Sequence, residues 1–180
     1  QVSGVSIDTL AAFDDDRAYP EALTIGPDGY IYSGSFCTGE IWRISPEGER
    51  ETWLGANEGI GSVSGMAFDP EGVLYVADRG DCDPRRGTSS LKRVLADKTV
   101  EDWGQVTDDE IINGLVFGAD GILYATDTQL GEVRAYDAEG TASIWWRVPE
   151  NPRDPRPTGI TYDAQNNALI VADTNNGTIY

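Results

Sequence analysis

Histidine is absent from all 180 residues, and that absence removes several chemistries at once. Within this chain no serine–histidine or cysteine–histidine pair can form, and no imidazole can ligate zinc. Basic side chains are scarce: 13 Lys and Arg stand against 31 Asp and Glu, a formal net charge of −18. Nucleic acid and anionic membranes both require a cationic face, so neither is an expected partner. The acidic balance reads first as a solvated surface, and second as a weak bias toward cations. No apolar run approaches the ~20 residues of a spanning helix, so no membrane insertion is expected. No stretch has convincing helical periodicity with caps.

Cysteine occurs only at Cys37 and Cys82. Each falls just beyond the second strand of a repeated unit, so neighbouring units would present them from equivalent loops. They are a possible disulfide, or else two free thiols. A disulfide would favour a secreted or periplasmic protein over a cytoplasmic one. Gln1 is compatible with the new terminus of a processed exported chain.

What is present is a fourfold repeat. Its copies open Pro20-Glu21-Ala22-Leu23, Val63-Ser64-Gly65-Met66, Ile112-Asn113-Gly114-Leu115 and Pro157-Thr158-Gly159-Ile160. Each runs into a turn: Pro27-Asp28-Gly29, Pro70-Glu71-Gly72, Ala119-Asp120-Gly121, and Ala164-Gln165-Asn166-Asn167. The Gly29, Gly72, Gly121 and Asn167 positions are 43, 49 and 46 residues apart. A period in the forties, with strands in every copy, predicts an all-β fold of four-stranded blades, a β-propeller. Outer strands carry Trp53, Trp103 and the Trp145-Trp146 pair. Their recurrence reads as packing between blades rather than as a sugar-stacking surface.

Blades are expected at about 19–55, 62–104, 111–147 and 156–180, in one domain spanning 1–180. Residues 5–10 are expected as an orphan strand that completes the last blade. The repeat length suits six blades of about 270 residues, so the chain is expected to be part of a longer propeller. Residues 80–90 are an inserted loop in the second copy.

In a propeller, the innermost strand of each blade begins beside the central channel. The second residues of the four copies would therefore form a ring: Glu21, Ser64, Asn113 and Thr158. All four offer oxygen, which suits a hard cation such as calcium. For Ser64 and Thr158 the plainer reading is capping of strand ends or hydrogen bonding to a neighbouring blade. For Glu21 and Asn113 the site reading stands beside it, since a carboxylate facing a channel needs a partner.

Tyr19-Pro20-Glu21-Ala22-Leu23, Asn113-Gly114-Leu115 with Ala119-Asp120-Gly121-Ile122-Leu123-Tyr124, and Pro157-Thr158-Gly159-Ile160 resemble the senescence-marker-protein/gluconolactonase family. Strictosidine-synthase-like proteins and paraoxonases are near this pattern. NHL-type scaffolds and streptogramin-lyase-like proteins share the strand signature. The resemblance implies a six-bladed propeller with a divalent metal, often calcium, that polarises a lactone or ester carbonyl. It implies Glu21 and Asn113 as metal ligands. Ser64 stands where the family has an asparagine, and Thr158 where it has an aspartate. Two functions follow as expectations. One is a metal-dependent lactone or ester hydrolase. The alternative is a non-catalytic scaffold that binds a protein or small ligand on its loop face.

Overall fold

The computed structural model describes residues 7–83, 85–149 and 153–180. Every regular element among them is a β-strand. The first blade contains β1 (Pro20–Ile25), β2 (Ile31–Ser35), β3 (Ile41–Ile44) and β4 (Arg50–Leu54). The second contains β5 (Val63–Phe68), β6 (Leu74–Asp78), β7 (Ser90–Val94) and β8 (Val100–Asp102). The third contains β9 (Ile112–Phe117), β10 (Leu123–Asp127), β11 (Glu132–Tyr136) and β12 (Ala142–Arg147). The fourth contains β13 (Pro157–Asp163), β14 (Ala168–Asp173) and β15 (Thr178–Ile179). Within each blade the strands pair antiparallel in chain order.

The turns form because the chain supplies residues that tolerate left-handed backbone. Gly29, Gly72 and Gly121 have φ of 80°, 87° and 77°, and Asn167 takes the same role at 49°. Asparagine is among the few non-glycine residues that enter this region readily.

Blades pack face to face through their inner strands, in the sequence β1, β5, β9, β13. Three hydrophobic clusters lie at the three junctions. Tyr32 sits edge-on to Trp53 of its own blade and Phe68 of the next, at 5.3 and 4.8 Å between ring centres. Tyr75 repeats this with Trp103 and Phe117 at 4.7 and 5.1 Å. The outer-strand tryptophans therefore pack against the core tyrosines beside them. The arc is open at both ends, a partial propeller. Leu23 shows why. Its equivalents Met66 and Leu115 are 4% and 7% exposed against the preceding blade, while Leu23 is 69% exposed.

The expected strand at 5–10 lies partly outside the described residues. Residues 5 and 6 lie outside the described residues, and 7–10 form no strand. The segment after them is held by side chains rather than by a ladder. Phe13 packs on Trp42 at 4.4 Å, and Arg50 donates to the Ala12 carbonyl at 3.1 Å.

Cys37 and Cys82 are joined as a disulfide that ties the first blade to the second across 45 residues. Closing a loop of that length contributes about 4 kcal/mol in the chain-entropy account. The inserted loop at 80–90 docks toward the third blade, where the Ile112 N–H donates to Ser89 Oγ at 3.2 Å.

Candidate channel site

The four predicted ring residues share one structural peculiarity. Each lies at a β-bulge near the start of an inner strand. The pairing shifts between Pro20 and Ala22, between Val63 and Gly65, across Asn113-Gly114 opposite Thr126, and across Thr158-Gly159 opposite Ala172. A bulge adds one unpaired residue and re-aims its side chain, and bulges concentrate at barrel rims and active sites. The sequence repeat thus encodes a repeated backbone irregularity at the blade openings.

The bulges are also where blades touch. A Cβ on Gly65 would run into the Asn113 carbonyl oxygen, and one on Gly114 into the Thr158 carbonyl oxygen. Glycine after the ring residue therefore lets the next blade approach. Thr126 reinforces the third junction: its hydroxyl accepts from Gly114 N–H at 2.8 Å and donates to the Thr158 carbonyl at 2.6 Å. So Ser64, Asn113 and Thr158 are brought to adjoining strand starts, with Glu21 on the neighbouring β1.

Their side chains are not equivalent. Ser64 is buried, and its hydroxyl lies 3.0 Å from the Ala77 carbonyl and 3.1 Å from the Ile112 carbonyl. One proton serves two backbone acceptors, so Ser64 links the second and third blades. Glu21 is exposed, and Asn113 and Thr158 are half-buried. Among the described residues none of these three makes a side-chain hydrogen bond. Tyr19, two residues before Glu21, holds φ at 37°, which is unusual for an aromatic residue preceding proline. Local strain of this kind costs on the order of 1–3 kcal/mol and gathers at functional sites.

The donor set fits a hard cation: a carboxylate, an amide oxygen and a hydroxyl, all oxygen. Glu21, Asn113 and Thr158 would hold it. Among the described residues, no three His, Cys, Asp or Glu side chains form a metal-binding group. The ring therefore supplies one negative charge, and Ser64 has no histidine to activate it as a nucleophile.

Residues that the repeat did not single out carry the loops around this ring. Asp78 accepts from the N–H groups of Ser62 and Gly80 at 2.9 and 2.8 Å. Asp127 accepts from Ile111, Gln129 and Leu130 at 3.1, 3.0 and 3.1 Å. Asp173 accepts from Arg156 and Asn175, both at 3.1 Å. Each of these buried carboxylates clamps the segment entering its inner strand to the loop leaving its second strand. Burial pushes the Asp173 carboxyl upward. The Asn176 amide and the N–H groups of Arg156, Asn176 and Asn175 outweigh it and hold the group below its ordinary 3.8. In the first blade Ser35 stands at this place and accepts from Cys37 and Thr38 at 3.2 and 3.0 Å. The sequence signal was an aspartate closing the second strand in three copies.

A second polar group lies beside the third blade. Glu110 and Glu132, each 3% exposed, share Arg134, and Arg147 adds a contact to Glu132 at 2.5 Å. Glu110 also lines a cleft of about 470 Å³ with Arg79, Ser89 and Asp109 between the second and third blades.

Comparison with known proteins agrees with this architecture. The family model described as strictosidine synthase-like, N-terminal matches residues 8–44, and the NHL repeat model matches residues 155–179. No curated protein matches the chain. Among solved structures, an inactive histidine-to-alanine form of virginiamycin B lyase from Staphylococcus aureus with quinupristin is 15% identical, with a TM-score of 0.68. The alignment covers 93% of this chain and 56% of that one. A propeller designated a gluconolactonase is 20% identical, with a TM-score of 0.65, over 87% of this chain and 58% of that one. The nidogen/laminin complex gives 21% identity and a TM-score of 0.67, over 87% and 57%. The chain thus spans a little over half the length of these structures. The strictosidine-synthase-like match and the gluconolactonase neighbour support a senescence-marker-protein/gluconolactonase-like β-propeller.

Proposed function

We propose that the chain is part of a gluconolactonase-like propeller that binds a divalent cation, calcium by donor chemistry, at the channel ring and hydrolyses a lactone or ester. The observation that carries this reading is the bulge repeated at Glu21, Ser64, Asn113 and Thr158. Glu21 supplies the charge, and Asn113 and Thr158 supply neutral oxygens. When bound, the cation polarises the carbonyl that water attacks. Ser64 keeps the second and third blades in register and so holds Asn113 in place. The Cys37–Cys82 disulfide supports a secreted or periplasmic location.

A second reading has its own support. Thr158 replaces the aspartate expected from the resemblance, and Ser64 is occupied by backbone carbonyls. A ring with one carboxylate is a weak hydrolytic centre, so the alternative is a rigid scaffold that binds a protein or small ligand. Calorimetric titration with calcium separates the two. Saturable binding that is lost in Glu21→Ala, together with lactone turnover, supports the enzyme. Equal, negligible heats from wild type and variant end the metal reading, and lactone turnover without calcium-dependent heat would contradict it too.

A further inference from the structure

The first and third blades invite a residue-by-residue comparison, because their hairpins are built alike. Tyr32 donates to Asp28 Oδ2 at 2.9 Å, and Tyr124 donates to Asp120 Oδ2 at 2.8 Å. Each tyrosine stands edge-on to its own blade's tryptophan, Trp53 or Trp145, with ring centres 5.3 Å apart. The first blade then adds a cation. Arg43, paired with Tyr32 across the sheet, binds Asp28 Oδ2 through Nε at 2.9 Å and Glu51 through Nη1 at 2.8 Å. Its guanidinium also lies 3.5 Å above the centre of the Tyr30 ring. The second blade has Arg93 and Glu101 at these places, joined at 2.9 Å.

The third blade lacks the pair. Ala135 faces Tyr124, and Ser143 faces Ala135. Three features accompany this difference. Among the described residues no cation pairs with Asp120. Trp145 is 50% exposed, whereas its counterpart Trp53 is more buried. A groove of about 390 Å³ opens against the fourth blade, lined by Asp120, Tyr124, Trp145, Tyr162 and Asn167. Tyr162 replaces the phenylalanine of the other two junctions, and its hydroxyl turns to Asn167 Oδ1 at 2.6 Å. The groove lies by the hairpin turn, at the far end of β9 from the Asn113 bulge.

We propose that this groove binds the guanidinium group of an arginine side chain presented by an extended polypeptide. The guest guanidinium takes the place that Arg43 has in the first blade against the Asp120 carboxylate, with the half-exposed Trp145 ring as its aromatic partner, because Ile122 holds the position of Tyr30 and Tyr124 is buried. Guanidinium suits both surfaces, since it forks onto carboxylates and stacks on rings. The net charge of −18 favours approach of a cationic segment. A polypeptide is the fitting bearer because β12 is the open edge of its sheet and carries Ile144, 46% exposed, next to Trp145. An extended chain can lie along such an edge while one side chain enters the groove.

The test is fluorescence anisotropy with a labelled pentapeptide that has one arginine between glycines, and with its citrulline and lysine counterparts. Citrulline keeps the shape and removes the charge. The expected result is binding at least tenfold tighter for arginine than for citrulline or lysine, weakening with salt. A double variant, Ala135→Arg with Ser143→Glu, rebuilds the first blade's internal cation and is expected to lose at least tenfold in affinity. Asp120→Asn is expected to do the same without filling the groove, which keeps the test decisive if the double variant misfolds. Equal binding of arginine and citrulline peptides, equal binding of arginine and lysine peptides, no saturation at millimolar peptide, or undiminished binding by folded Asp120→Asn would overturn the proposal.

Discussion

At the scale of single residues, carboxylates do most of the positioning. Asp78, Asp127 and Asp173 each collect backbone N–H groups from two loops, and all three are buried. Truncating one leaves several donors without their acceptor. Asp127→Ala is expected to cost about 2–4 kcal/mol, since hydrogen bonds to a charged group contribute more than neutral ones; chemical denaturation measures it. Glu110 and Glu132 depend on Arg134 in the same way, for a buried carboxylate stripped of its cation is strongly destabilising. Tyrosines give a complementary signature at high pH. Burial, followed by the hydrogen bond to Asp120 and its charge, pushes Tyr124 up to about 12 from the ordinary 10. The fold favours the neutral phenol, so its contribution is whole below pH 10 and is lost as pH rises through about 12. Absorbance titration of tyrosinate should show Tyr124 ionising near 12, and Asp120→Asn should bring it down; an unchanged value in the variant would contradict the assignment. The aspartates were legible in the sequence as recurrences, but their role was not. A clamp is defined by which loop N–H groups converge on it, and that follows from the fold.

At the scale of strands and blades, legibility was higher. Gly29, Gly72 and Gly121 punctuate the hairpins at fixed distances from apolar strands, which makes the repeat readable. The bulges were invisible, although the residues at them were found. Register shifts arise from pairing between strands and leave no periodic trace in one strand. Their partner glycines allow a direct comparison. Gly65 faces the Asn113 carbonyl of the next blade, whereas the nearest atom to a Cβ on Gly159 is Ala172 Cβ at 3.9 Å. In this chain Gly65→Ala is expected to lower stability by roughly 1–3 kcal/mol through overpacking, while Gly159→Ala is close to neutral. Thermal denaturation of the two variants measures this, and equal midpoints would argue against close packing at the second junction. The opening segment shows the reverse case. Val5 and Ile7 alternate with polar residues in the sequence, yet residues 7–10 join no ladder and the segment after them is anchored through Phe13 and Ala12. Apolar alternation does not specify a pairing partner.

At the scale of the molecule, four blades make an arc whose inner strands pack in the order β1, β5, β9, β13. The ends of the arc remain apolar, with Leu23 and Ile25 at one and Ile179 at the other 69%, 71% and 75% exposed. The proposed ring of ligands belongs to this scale, because Glu21 and Thr158 are far apart in the chain and share only their place in a blade. The repeat marks the four positions in the sequence, and the structure places a bulge at each. Their unequal roles are not legible in the sequence, because the burial of Ser64 depends on the next blade's Ile112 carbonyl. The most direct measurement is amide chemical-shift mapping of the isotopically labelled chain during calcium titration. The account predicts saturable shifts that centre on Glu21, Asn113 and Thr158 and disappear in Glu21→Ala. Shifts confined to residues away from these three, or none at millimolar calcium, would contradict it.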